Sequence, residues 1–218
     1  MVTASAKPSR RKKQNRRPSA IAVERRQDLQ QAAVRSIAKN GYAGVTVAMI
    51  CEEAGFSRGL IGHYFKGKED LLLEAILGVS ADVADANKKA VQSAGSDPFD
   101  RLHAVVKASF SPPGFMPDKV AVWVALVGSA RWSPQLASIY KDLWRGYRVG
   151  IAKLIKKAAE ERSVKLDHNL AALAFSQLME GFWVGWAADP VSVSKVHAEQ
   201  AMHLFVDSLF LDAGQKRK

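Results

Sequence analysis

Apolar residues recur along this chain at helical spacing, in blocks separated by Gly, Pro and small polar residues. Leu29, Ala33 and Ile37 form one stripe of a helix predicted over about 21–40, and Gly41 suits the left-handed turn that would stop it. Thr46 can cap a second helix, in which Val47, Ile50, Cys51 and Ala54 follow the i, i+3, i+4, i+7 pattern of a buried face. Gly55 ends that helix, and Ser57 is placed to cap a third that buries Leu60, Ile61, Tyr64 and Phe65. Leu71, Leu72, Ala75, Ile76, Val79 and Val83 then mark a long helix from about Gly67 to 93. Further helices are predicted over about 97–110, 118–130, 133–161, 167–188 and 192–211. Three prolines within 111–117 force a loop between the first two of these, and Ser133-Pro134 supplies a cap followed by Pro at the first helical position. No strand-length alternation and no internal repeat is visible, so the expected fold is all-α, with about nine helices.

The short helices around Gly55 outline a DNA-binding helix-turn-helix. The face of the second that is not apolar carries Arg58, Gly59, Gly62 and His63. An Arg flanked by residues without bulk suits a DNA groove, because a guanidinium can make two hydrogen bonds to guanine N7 and O6. Gly62 costs roughly 1 kcal/mol in a helix interior relative to Ala, which implies a use for the space. Two enzyme motifs overlap the segment and lack their context. Residues 55–59 spell G-x-S-x-G with no strand before the Ser, and residues 62–68 spell G-x-x-x-x-G-K with Glu69 where Ser or Thr would hold magnesium.

With the helix before it, this segment resembles the TetR family of transcriptional regulators. The resemblance rests on Arg25, Arg26, Leu29, Ala32, Ala33, Gly41 and Tyr42, then Thr46, Ile50, Ala54 and Gly55, then Ser57, Ile61, Tyr64, Phe65, Lys68, Leu71 and Leu72. The run from Ile61 to Phe65 is most similar to the BetI-type branch, whose members repress choline-to-betaine genes and respond to choline. Gly62 departs from the pattern: most members carry there an aromatic that touches a phosphate, a task that falls here to His63. The resemblance implies that Thr46, Ser57, Tyr64 and Lys68 sit on phosphates while Arg58, Gly59 and His63 face bases. It further implies a homodimer on palindromic double-stranded DNA, joined through the last two helices, with no cofactor.

The net charge of +11 is concentrated at the ends of the 218-residue chain. Seven Lys and Arg residues lie between Lys7 and Arg17 with no acid among them, and Lys216, Arg217 and Lys218 close the chain. The first segment is too polar to pack, and is expected either to lie along DNA or to remain a solvated tail. The domain plan is a basic arm over 1–19, the helix-turn-helix domain over 20–66, a ligand-binding and dimerisation domain over 67–213, and a basic tail over 214–218. No apolar run approaches a membrane span or a signal peptide, so a cytoplasmic protein without membrane contact is expected. The one cysteine, Cys51, falls on a buried stripe and forms no internal disulfide.

Aromatic residues gather in the C-terminal two thirds, and Glu180 lies one turn before Trp183 on the same helical face. Rings beside a carboxylate hold a quaternary ammonium ion, which offers no hydrogen bond but is drawn to the ring quadrupole. Trp123, Trp132, Tyr140, Trp144, Glu180 and Trp183 are therefore the candidate effector site, and the same rings serve equally as core or interface filling. The BetI resemblance extends into this region through Trp123, Pro134 and the run from Glu180 to Trp183, but Leu126-Val127 stands where related chains carry Phe-Trp. The function expected is a ligand-responsive repressor of choline, betaine or related cation metabolism or efflux. Two other classes compete with it: a DNA-binding architectural protein without a ligand, and an enzyme using the aromatic pocket. His103, His168, His197 and His203 show no H-E-x-x-H spacing to support the enzyme.

Overall fold

A computed structural model describes residues 20–211, so the basic arm and the basic tail lie outside the described residues. Among the described residues the chain forms nine α-helices and one short 3-10 turn, with no strand. Helix α1 (Ala20–Gly44) carries Leu29, Ala32, Ala33 and Ile37 on its buried stripe, as the spacing predicts. It kinks at Gly41, whose φ of 68° and ψ of 166° lie outside the left-handed helical region and are open to glycine alone, so the chain runs on helically to Gly44. Helix α2 (Val47–Ala54) has both predicted caps: Thr46 Oγ1 accepts from Met49 N at 3.3 Å, and Gly55 is left-handed with φ 69° and ψ 27°.

The third element differs from expectation. It opens as a 3-10 turn (Arg58–Leu60) and continues as α3 (Ile61–Tyr64), and the Ser57 side chain makes no capping hydrogen bond. The Ser57 carbonyl, not the hydroxyl, is used: it accepts from Leu60 N at 3.0 Å and from Cys51 Sγ at 3.7 Å. Gly59 and Gly62 give so short a segment little α-helical preference, and a tighter first turn is the outcome.

Helix α4 (Lys68–Ser93) joins the two halves of the molecule. Its first turn is acidic, with Glu69 and Asp70 favourably placed at a helix N-terminus, and Asp70 reaches back to accept from Lys66 N at 3.0 Å. Leu71, Leu72, Ala75, Ile76 and Val79 close a core with α1 to α3, which Val122, Leu126 and Leu136 complete from the other side.

The remaining helices are α5 (Pro98–Ser109), α6 (Pro117–Ala130), α7 (Pro134–Glu161), α8 (His168–Ala188) and α9 (Lys195–Leu209). Pro stands in the first turn of α5, α6 and α7, where its missing N–H is no loss. The last helix starts three residues later than its pattern suggests. Asp189 Oδ1 accepts from Val191 N at 3.2 Å and Ser192 N at 3.0 Å, which uses those residues in a turn, and Ser194 provides the cap. A second core, around Leu102, Phe110, Ile155, Phe175 and Met202, holds α5 and α7 to α9 together.

Candidate DNA-reading surface and effector cavity

The helix-turn-helix presents its polar residues outward. Arg58, Gly59, Gly62 and His63 are exposed, while Ile61 and Phe65 turn the opposite side of the segment into the core. Arg58 and His63 make no hydrogen bond or ion pair within the described residues, so both side chains are free for an external partner. A Cβ added at Gly59 or Gly62 meets nothing within 4 Å, so the space these glycines leave opens to solvent and not to another part of the protein.

Three predicted phosphate-contacting residues have internal work as well. Thr46 caps α2, as described. Lys68 donates to Val45 O at 3.2 Å and lies 3.4 Å from Glu69, which fastens the start of α4 to the chain entering α2. The Tyr64 carbonyl accepts from Arg26, which also pairs with Glu74 of α4 and lies over the Phe65 ring at 4.4 Å. Sequence reasoning counted Arg26 only as part of a family pattern. The structure gives it a definite position, one guanidinium joining α1, the end of α3 and α4.

An open-sided cavity of about 930 Å³ lies between α4 and α7, with α5, α6 and α8 behind it. Trp123, Trp144, Glu180 and Trp183 all line one end of it. Their rings are in edge contact: Trp123 lies 5.6 Å from Trp144 and 6.4 Å from Trp183, centroid to centroid. Glu180 accepts from Tyr140 Oη at 2.8 Å, Trp144 Nε1 at 3.3 Å and Gln177 Nε2 at 3.2 Å. It forms no ion pair among the described residues and is positioned by neutral donors, while Arg148 lies near enough to act on Tyr140 through space. Burial, with the Glu180 carboxylate beside it, pushes the Tyr140 hydroxyl up to about 12, so it stays a proton donor to Glu180. Tyr140 is thus a support behind the cavity wall.

Trp132, predicted with the effector site, does not line this cavity. Its side chain lies past the end of α6, in the tight turn into α7, and is 81% exposed with Arg131 at 5.6 Å from the ring. The turn directs the ring to solvent, away from the cavity.

Tyr147 is the residue the sequence reading left unassigned. It stands one turn after Trp144 and lines the cavity, and its hydroxyl is buried without a hydrogen-bond partner among the described residues. Burial pushes that hydroxyl above the ordinary tyrosine range. The i, i+3 spacing from Trp144 was a visible signal, but the lack of a partner was not. Also invisible in the sequence was the contact between His103 and His203, whose Nδ1 atoms are 2.6 Å apart although a hundred residues separate them. Among the described residues no group of three or more side chains is arranged to hold a metal ion.

Comparison with known proteins agrees with this geometry. The model of bacterial regulatory proteins of the tetR family matches residues 29–75, and that of the BetI-type transcriptional repressor C-terminal domain matches residues 98–211. The transcriptional regulator BetI of Agrobacterium fabrum is 33% identical over 68% of this chain and 72% of its own length. That of Stenotrophomonas maltophilia is 28% identical over 73% of this chain and 80% of its own. Among solved structures, a transcriptional regulator from Pseudomonas aeruginosa PAO1 superposes with a TM-score of 0.77 at 28% identity, covering 90% of this chain and 95% of that one. A regulator from Saccharomonospora viridis, crystallised in complex with choline, has a TM-score of 0.76 at 25% identity, over 85% of this chain and 96% of its own. The chain belongs to the TetR family of DNA-binding transcriptional regulators, with a BetI-type repressor C-terminal domain, and is not an enzyme.

Proposed function

We propose that this regulator binds a palindromic operator as a homodimer in the cytoplasm and is released by an organic cation, with a quaternary ammonium group as the recognised chemistry. The observation that carries the reading is Glu180, a carboxylate that forms no ion pair among the described residues, held by neutral donors at the edge of the Trp123, Trp144 and Trp183 rings. The choline found in the Saccharomonospora viridis relative supports the same chemistry. The open volume argues against an architectural protein whose pocket is closed by its own side chains.

On DNA, Arg58, Gly59 and His63 face base edges, and Thr46, Ser57, Tyr64 and Lys68 set the register on phosphates. The reading unit is residues 20–66 and the effector and dimerisation unit is 67–213. Leu170 and Leu173 on α8 and Leu204 on α9 are 62%, 43% and 71% exposed, an apolar face of the kind a second copy would cover. Helix α4 couples the sites, because Val79, Ser80 and Val83 line the cavity while its first turns belong to the core of the reading half. An effector that favours one setting of α4 changes the separation of the two reading segments, with a coupling of typically about 1–3 kcal/mol.

The test combines two measurements. Choline, betaine and related cations are screened for a rise in melting temperature, and those that bind are added to a gel shift on an operator selected from random DNA. Stabilisation together with release of DNA is the expected result. A cation that stabilises the protein and leaves the DNA complex intact would remove the coupling, and no stabilisation by any cation would remove the effector class.

A further inference from the structure

The cavity is far larger than a small quaternary amine needs. At about 930 Å³ it matches the upper end of pockets for drug-sized ligands, roughly 300–1,000 Å³. It follows α7 from Leu143 to Glu160, which at helical rise is about 25 Å. A choline-sized head at Glu180 would leave the wall formed by Val83, Val91, Val105, Ile151 and Leu154 facing an unfilled apolar groove. Gly146 and Gly150 keep that groove wide: both line it from within α7, and a Cβ at either meets nothing within 4 Å. Each costs about 1 kcal/mol of helix preference relative to Ala, which a groove meant to stay open explains.

Charge gives the groove a direction. The end opposite Glu180 is rimmed by Lys88, Arg101, Lys153, Lys156, Lys157 and Glu160. Lys156 and Glu160 pair at 3.9 Å, and the other four cations have no carboxylate partner among the described residues, so this end is net positive. A cationic head is repelled there and attracted to Glu180. The Tyr147 ring forms part of the wall between the two ends, with its hydroxyl enclosed behind it beside Ser109.

We infer that the effector is a long-chain cationic amphiphile, with a quaternary ammonium head at Glu180 and a long alkyl or acyl chain along the groove between α4 and α7. This rests on the organic-cation reading of the aromatic end, and adds the chain to it.

Calorimetry on the full chain tests it with choline, acetylcholine, octanoylcholine, lauroylcholine, dodecyltrimethylammonium and laurate, all below their micelle-forming concentrations. Each buried methylene is expected to raise affinity about three- to fourfold until the groove is filled. Gly150→Phe places a ring in the groove from a position where a Cβ meets nothing within 4 Å, and is expected to make octanoylcholine and lauroylcholine bind alike. If lauroylcholine binds no more tightly than choline, the long-chain inference fails while the organic-cation reading stands. If laurate equals lauroylcholine, or no cation of any length binds, the head site and the reading beneath it both fail.

Discussion

The reading surface and the effector cavity place their polar groups in opposite circumstances. Arg58 and His63 stand in water with no internal partner, on a segment whose own helix is barely formed. Glu180 is gripped by three neutral donors, Trp183 donates to Ser109 O at 3.1 Å from a buried position, and the Tyr147 hydroxyl is enclosed. Changes on the first surface should therefore alter binding alone. Changes in the second should alter folding and binding together, except where a charge is exchanged for a neutral group of the same shape.

The sharpest separation is expected from Trp183→Ala, which removes a buried ring and its hydrogen bond and should cost about 3–5 kcal/mol of stability. Chemical denaturation measures this, and a loss below about 1 kcal/mol would show that the cavity wall is not integral to the core. Arg58→Ala should cost about 1–3 kcal/mol of operator affinity and relax preference at one base position, with stability within about 0.5 kcal/mol of the parent. A gel-shift series across operator variants checks it; uniform weakening on every sequence would move Arg58 from bases to phosphates.

Glu180→Gln keeps an acceptor for Tyr140 and Trp144 and removes the charge. Cation affinity should fall about tenfold, or about 1.4 kcal/mol, with little change in melting temperature. Thr46→Ala removes the α2 cap and should cost about 1 kcal/mol of stability, seen as a lower denaturation midpoint. The smallest effect is expected from the Arg162–Asp97 pair, which ties α7 to the start of α5 at 3.0 Å. Arg162, with the Phe99 N–H, holds the Asp97 carboxyl below its ordinary value of 3.8. Its contribution is present above that value and is lost as pH falls through the lower folded one. Asp97→Asn should therefore lower the melting temperature slightly at neutral pH, where the contribution is present, and flatten the acid limb so that variant and parent converge well below about pH 4.

The same contrast explains what could be read from the amino acids. Thr46 and Gly55 act on their nearest neighbours, so cap and turn were legible, as was the stripe from Leu29 to Ile37. Ser57 looked like a cap because its residue type and position were right, but its hydroxyl makes no capping bond where two glycines favour a 3-10 turn. Trp123, Trp144, Glu180 and Trp183, grouped by residue type and spacing, do converge on one cavity. Trp132 could not be told from them by composition, since only the direction of the turn after α6 separates it. Tyr147 and the α4 wall were hidden for a different reason. An enclosed hydroxyl and an unfilled groove depend on what helices distant in sequence fail to provide, and no local pattern records that.

Cys51 is the only sulfhydryl in the chain, 2% exposed, bonded to the turn at Ser57 and shifted by burial toward its unreactive protonated form. An alkylating reagent can reach it only when the packing around that turn comes apart. Its labelling rate is therefore a clock for breathing of the DNA-reading half. Run with and without effector, the clock would report whether a molecule seated in the other half is felt at the operator-facing turn, in a protein free of DNA and bearing no introduced probe.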